Sequence, residues 1–478
     1  MAVWSIVNFL ALKSDIRLDA EYYQPLFLQF ESLLKETEFP IVNIGSLVKE
    51  GYRVVYENTR ILDEDFDSEY HVKFLQAANV LSGFPTIEQS SMGWVSRNDW
   101  NRYPQGRMKP GEILIEVKGK AEKVAMVPDD FLGEVLVTGT LYKMLIDEEK
   151  VDRHYVFVYL LSKFGYSFRD RGKTNTLISY VNKDDLYSIP IPIVPRDIQA
   201  EIAKDYQRAY SSYERSKSLY TEAEALLLHE LGLDTLDLST QKTYVANFSE
   251  TVEGDRLDAE HFQPKYYRVL DALKSLKSGQ ILPLGVLVES ITNGQTPLHH
   301  DLSEGDITFL TAEHILDFRI NYDSDKRVLK EHHNQKLKKT QLQQKDVLIT
   351  IKGRIGNAAV VENLSKPVNI NQDVALLRLR KEYHPYYIAG FINSLAGKAL
   401  TEQIGTGQIN PFLGLGNLQK LMIPIFEQSY MDRIGEQVKQ KVREACQTQK
   451  EAEQLLEQAK HRVEQMILGE HTTDEYPS

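Results

Sequence analysis

Glu116-Val117-Lys118 places a carboxylate two residues before a lysine in an apolar run. On a strand that spacing can hold a divalent metal beside a cation and hydrolyse a phosphodiester. The chain supplies its own control, because Ile113-Leu114-Ile115-Glu116-Val117-Lys118-Gly119-Lys120 returns as Val347-Leu348-Ile349-Thr350-Ile351-Lys352-Gly353-Arg354. Threonine replaces the glutamate in the second copy, while the Lys-Gly-basic turn stays. Glu116 is therefore expected as a strand residue facing solvent, and a metal-dependent nuclease using Glu116 and Lys118 is kept as an alternative. Both copies continue into a second apolar strand, Val124–Val127 and Ala358–Val361. This predicts a β-hairpin whose glycine permits a positive φ or a close backbone approach.

Other chemistry is absent or incomplete. There is no Gly-x-x-x-x-Gly-Lys-Ser/Thr phosphate loop, and Gly405-Thr406-Gly407 and Gly414-Leu415-Gly416 lack dinucleotide-loop spacing. Asn410-Pro411-Phe412 lacks the second proline of an amino-methyltransferase motif and any glycine-rich stretch upstream. His299-His300 and His332-His333 sit in polar segments without ordered carboxylates, which predicts loop histidines and no metal.

Charge is more informative. From Lys326 to Arg354 nine Lys/Arg face two acidic residues, a local net of +7 in a chain of net −12. From Arg97 to Lys123 seven Lys/Arg face four acidic residues, a net of +3. The two basic stretches occupy equivalent places, each leading into a Lys-Gly hairpin, which points to phosphate binding. The candidates are Arg107, Lys109, Lys118 and Lys120 in the first copy. In the second they are Lys326, Arg327, Lys336, Lys338, Lys339, Lys352 and Arg354. Base contacts are expected from Arg, Gln and Asn among the residues that differ between copies.

The elements that position these residues are also duplicated. Arg17-Leu18-Asp19-Ala20-Glu21-Tyr22-Tyr23-Gln24-Pro25 recurs 239 residues on as Arg256-Leu257-Asp258-Ala259-Glu260-His261-Phe262-Gln263-Pro264, half of the 478-residue length. Asn8-Phe9 recurs at the same offset as Asn247-Phe248, so the apolar start is expected as a strand or extended entry segment and not a signal peptide. A one-sided helix follows each copy: Leu26, Phe27, Phe30, Leu33 and Leu34, then Tyr267, Leu270, Leu273 and Leu276. The next stretch diverges, with Gly51-Tyr52-Arg53 in one half and Asn293-Gly294-Gln295 in the other, around shared Phe-Leu-x-Ala cores at Phe74 and Phe309.

Each half exits through Ile-Pro-Ile, at Ile191–Ile193 and Ile423–Ile425, into a long helical pattern. Ile198, Ile202, Ala209, Tyr213, Tyr220, Ala223 and Leu227 carry the apolar face of the first helix. Ile434, Val438, Ala445, Ala452, Leu456, Ala459, Val463 and Met466 carry that of the second. The spacing suits a coiled-coil seam, antiparallel if a pseudo-two-fold relates the halves. The fold expected is α+β: two related globular domains alternating with two long helices that pair as an antiparallel coiled coil. The segments are 1–195, a central helix 196–235, 236–425, a C-terminal helix 426–470, and a flexible tail 471–478.

A hydrophobic content of 42% with 26% charged residues is ordinary for a globular protein. The single cysteine, Cys446, leaves no internal disulfide or Cys-based zinc site, so a reducing, cytoplasmic setting is expected. No run of about 18 apolar residues suggests a membrane span.

In the order of these parts the chain resembles the specificity (S) subunits of type I restriction-modification systems. The likeness rests on Arg17–Tyr23 and its copy, the Asp346-Val347-Leu348-Ile349 to Gly353-Arg354-Ile355-Gly356 strand-turn, and the Ile-Pro-Ile exits. The resemblance implies a non-catalytic reader of double-stranded DNA. Residues 1–195 and 236–425 would be target recognition domains, each reading one half of a bipartite target. The helices would set the spacer and dock two methyltransferase (modification) subunits, with restriction subunits in the full complex. No cofactor is implied on this chain, S-adenosylmethionine being expected on the methyltransferase partners. A scaffold that binds proteins but no DNA is the other alternative.

Overall fold

The computed structural model describes residues 19–62, 69–81, 84–89, 91–174, 179–254, 256–276, 278–296, 305–407 and 410–469. It mixes helices and sheets in two compact units. The first is Met1–Tyr213 with Lys450–Ser478, and the second is Glu214–Gln449. Both long helices, Arg196–Glu230 and Gln428–Leu468, contribute residues to each unit.

The first unit is built on a four-stranded antiparallel sheet in the order Val48–Tyr52, Leu141–Ile146, Ile113–Glu116, Val124–Met126. These strands are short and rich in β-branched and aliphatic residues, as suits a sheet covered on both faces. One face packs on the helices Pro25–Lys35, Arg153–Leu161 and Lys163–Arg171 through Phe30, Ile113, Ile115, Tyr155, Tyr159 and Phe164. Leu114, Ala125 and Leu141 on the other face meet Leu75, Val135 and Val137 of a three-stranded sheet. In that sheet His71–Leu75 pairs parallel with Val135–Val137 and antiparallel with Gly93–Ser96.

The second unit repeats the plan of these two sheets. Its four-stranded sheet runs Val288–Asn293, Val374–Leu379, Val347–Thr350, Ala358–Val360. Its three-stranded sheet centres on Ile307–Leu310, again with one parallel and one antiparallel neighbour. Each exit strand pairs back on the entry strand, Ile191 opposite Val42 and Pro424 opposite Ile281.

Within the first unit Ile202, Tyr206 and Ala209 share a core with Ala452, Leu456, Ala459 and Val463. Within the second, Ala223 and Leu227 share one with Ile434, Val438 and Val442. Glu222 pairs with Lys441 at 2.7 Å and Glu230 with Arg433 at 3.0 Å, so the two helices run antiparallel in this unit. Small residues at these buried positions let the helix backbones approach closely.

The apolar start around Asn8-Phe9, expected as a strand or extended segment, lies outside the described residues, and the copy at Asn247-Phe248 opens a helix, Phe248–Gly254. The helix Pro264–Lys274 buries Tyr266, Val269 and Leu273, one position round from the face expected at Tyr267 and Leu270, and Leu276 lies beyond its end. Pro264 opens the helix at its first position, and tertiary packing selects the buried face. Of the Arg-Leu-Asp-Ala-Glu pair, Arg17 and Leu18 lie outside the described residues. Arg256 pairs with Asp258 at 2.5 Å and donates to the Gly405 carbonyl at 2.8 Å. There it meets the partial negative charge at the end of helix Leu395–Ile404, so the segment docks the chain onto that helix. Among the described residues no helix is long and apolar enough to cross a membrane.

Glu224, on the second unit's stretch of the helix Arg196–Glu230, lies where burial opposes its ionisation. Burial pushes its carboxyl from 4.5 up to about 7, countered by Lys398 and reinforced by Asp317. A raised pKa favours folding below pH 4.5, and that contribution is lost as pH rises through about 7. Glu224→Gln should therefore raise the melting temperature more at pH 8 than at pH 5. The gain at pH 8 is on the order of 2 kcal/mol. Melting curves with the same offset at both pH values would contradict it.

Candidate nucleic-acid interface

The two Lys-Gly turns are corners held in the same way. The Glu116 N–H donates to the Lys123 carbonyl at 2.8 Å, and the Thr350 N–H donates to the Asn357 carbonyl at 3.0 Å. Gly119 and Gly353 both take positive φ, 119° and 77°, a conformation in which a Cβ is strained. After this turn each corner is sewn to a later segment. Lys118–Gly119 pairs with Ser179–Tyr180, and the Gly353 N–H donates to the Pro411 carbonyl at 3.1 Å beside a bridge between Lys352 and Phe412.

Glu116 does not face solvent. It is 6% exposed, and its carboxylate accepts the backbone N–H groups of Glu122 at 3.1 Å and Lys123 at 3.3 Å. Thr350 does the same work with a hydroxyl, accepting from the Asn357 N–H at 3.0 Å and donating to the Arg354 carbonyl. Buried backbone donors need acceptors, and either side chain supplies one. The Glu-to-Thr exchange between copies is thus a change of staple. Arg169, buried beneath the first tip, donates to the Glu122 carbonyl at 3.1 Å, and burial holds its guanidinium down at about 10. In the second copy Gly356, at φ 89°, packs its bare Cα against Thr401.

A second fastening lies at the foot of each hairpin. Lys143 and Glu112 form an ion pair at 2.8 Å with side chains 4% and 5% exposed. Lys143 also donates to the Arg107 carbonyl, and Glu112 accepts the Lys109 N–H at 2.8 Å. In the second unit Arg378 meets Asp346 at 3.2 Å and donates to the Gln341 carbonyl at 2.7 Å, while Asp346 accepts the Gln343 N–H at 2.8 Å. Burial pushes the Lys143 ammonium below its ordinary value, and Glu112 opposes that. Burial pushes the Asp346 carboxyl up, with the Gln343 N–H and Arg378 opposing. Sequence reading missed both pairs, although a carboxylate one residue before each hairpin strand was a visible signal.

The candidate cations divide into two groups. Arg107 stacks 4.4 Å over Trp100 and donates to its carbonyl at 3.0 Å. Lys109 pairs with Glu50 at 2.5 Å, Lys326 with Glu313 at 2.7 Å, and Lys352 with Asp373 at 4.0 Å. Arg327 is half-buried and donates to the Ser324 and Lys326 carbonyls. Lys118, Lys120, Lys336, Lys338 and Lys339 are exposed and form no ion pair among the described residues; Arg354 is exposed too. Lys338 and Lys339 ride a short turn whose Thr340 is buried, and Asn369 fastens that turn by donating to the Leu337 carbonyl at 3.0 Å. His333 contacts Asn369 through Nδ1; His299 and His300 lie outside the described residues. Among the described residues no group of three His, Cys, Asp or Glu is placed to hold a metal.

No protein-family model matches the chain, and no curated protein matches it. Solved structures do. The type I restriction-modification S subunit from M. genitalium matches at 14% identity over 91% of this chain and 98% of its own, with a TM-score of 0.42. The HsdS subunit from Thermoanaerobacter tengcongensis matches at 13% identity over 91% and 97%, with a TM-score of 0.29. A chain from a structure of type I R-M complex assembly and conformational transition matches at 15% over 91% and 98%, with a TM-score of 0.31. This chain is similar to type I S subunits. At these identities the residue roles rest on its own geometry.

The foot of the first hairpin gives a direct test. Lys143→Met leaves Glu112 buried without its cation and should cost about 3–5 kcal/mol, read as a lowered urea midpoint of the full chain. Adding Glu112→Leu should recover much of that loss. A midpoint shift no larger than that of Lys120→Met would show that the pair fastens nothing.

Proposed function

We propose that the chain is a sequence-specific DNA-binding specificity subunit of a type I restriction-modification complex and is itself non-catalytic. The observation that carries this reading is one frame built twice in one chain, with exposed lysines at or beside equivalent hairpins and different residues in the adjoining stretches. A phosphate backbone is the same at every sequence, so the frame and its lysines can be alike in both copies. Bases differ, so the residues that read them must differ. Each recognition domain, 1–195 and 236–425, reads one half of a bipartite target. The helices 196–235 and 426–470 set the spacer and dock two methyltransferase subunits, which bring the S-adenosylmethionine chemistry; restriction subunits complete the assembly. The 35-residue and 41-residue helices and their small, regularly spaced buried residues support that role. The carboxylate of the nuclease alternative, Glu116, is already engaged by backbone donors, which favours the non-catalytic reading.

Two measurements test it. Reversing Lys336, Lys338 and Lys339 to Glu should weaken binding of the assembled complex to all duplexes alike. It should also flatten the salt dependence, by a slope of about one for each phosphate left without its lysine. An unaltered salt slope would remove these lysines from the interface. Inserting four residues, about one turn, near Ser216 and again near Thr448 should lengthen the spacer of the methylated motif by about two base pairs. Methylome sequencing that returned the same spacer would rule out the helices as its determinant.

A further inference from the structure

We propose that Arg53 and Asn293 are equivalent base-reading residues, Arg53 selecting guanine in one half of the target and Asn293 adenine in the other. The inference rests on the DNA-binding reading above and assigns its specificity to one position of the shared frame.

The equivalence follows from register. Met144 and Leu377 hold the same place in the central strands, opposite Ile113 and Val347. On the neighbouring edge strands they face Gly51 and Ile291. Counting outward from there, Tyr52 matches Thr292 and Arg53 matches Asn293. Hydrogen bonds agree with that count. Arg53 Nε donates to the Gly139 carbonyl at 2.8 Å, and Asn293 Nδ2 donates to the Gln372 carbonyl at 3.1 Å. Both carbonyls lie just ahead of the matching strands Leu141–Ile146 and Val374–Leu379, two residues before each begins. One backbone feature thus positions two different polar side chains, both half-buried.

The surroundings are those of a contact site beside the hairpin corner. Around Arg53 lies a cleft lined by Gly51, Tyr52, Tyr142, Tyr180 and Lys183. Arg53 Nη1 donates to the Tyr180 hydroxyl at 2.7 Å, with its guanidinium 5.2 Å from that ring. Tyr180 is the ladder partner of Lys118, an exposed phosphate candidate. In the second unit Phe412 takes the place of Tyr180, bridging Lys352 as well as Thr406, and is exposed.

The divergence argues for bases over phosphates. A phosphate anchor has the same task in both halves, whereas here arginine stands in one and asparagine in the other. Arginine reads the two acceptors on the major-groove edge of guanine, and asparagine pairs with the acceptor and donor of adenine. Nε–H and one Nη1–H are held by protein, so the second Nη1–H and the Nη2 group remain as a fork that is aimed without the entropy cost of a loose side chain.

The test is selection of binding sites from random double-stranded DNA by the full chain assembled with its methyltransferase subunits. The wild type should return a bipartite motif with guanine in one half and adenine in the other. Arg53→Ala should lower the preference for guanine at one position roughly tenfold or more, leaving the other half-motif intact as a control for folding. Arg53→Lys, which keeps the charge but not the fork, should lose the same preference. Asn293→Ala should relax one position in the opposite half. A uniform loss of affinity with the motif unchanged would assign Arg53 to phosphate and overturn the inference, as would unchanged binding. A wild-type complex that enriches no motif would overturn the DNA-binding reading itself.

Discussion

A backbone that turns a sharp corner leaves N–H groups facing inward, and the structure around each hairpin depends on giving those groups an acceptor. An unsatisfied buried donor costs on the order of 1–3 kcal/mol, so each corner carries side chains that serve the backbone first. Glu116 and Thr350 satisfy the tips. Glu112 and Asp346 satisfy the feet and are in turn neutralised by Lys143 and Arg378. With both ends fastened, the Lys-Gly corner is a rigid platform, and the segments at Tyr180 and Phe412 can be sewn to it.

The interchange of staples between copies shows what the frame requires. A carboxylate and a hydroxyl differ in charge, size and acidity, yet both present an oxygen to the same amide, that of Lys123 in one copy and of Asn357 in the other. The constraint is an acceptor at one point in space, and chemistry beyond that is free to vary. The tips vary in the same sense. Arg169 reaches a carbonyl in one copy, and in the other a bare glycine lets the turn settle on Thr401. Glu122 stands in the first turn where Gly356 stands in the second, and this exchange is a local packing solution that leaves the strand register untouched.

Duplication, the hairpins and the buried faces of the long helices were legible in the sequence, because each is a local pattern of apolar spacing or repeated identity. Ile202, Ala209, Ala223 and Leu227 are all buried where their spacing placed them. Pairing at a distance was not legible. Lys109 counts as a free charge until Glu50, 59 positions away, is brought beside it. Lys143 reads as a polar interruption of an apolar strand until Glu112 is brought beside it. Glu116 read as solvent-facing for a related reason, since alternation along a strand cannot show that a turn will fold its own amides over a side chain. Charge tallies over a window thus mark a basic region but cannot separate lysines that hold the fold from lysines left to a ligand.

Fastening also bears on how a reader can change what it reads. Arg53 and Asn293 each lean on a carbonyl supplied by the frame, and that carbonyl accepts equally from a guanidinium or an amide. Exchanging one for the other leaves the backbone donors at the hairpin satisfied, because Glu116, Glu112 and their counterparts do that work elsewhere. Specificity and stability are then carried by different side chains within one small region of each unit. A duplicated unit built this way can diverge at the reading position without disturbing its fold. Two copies in one chain that share fastenings in function, but not the residues beside them, are the expected result of such a division.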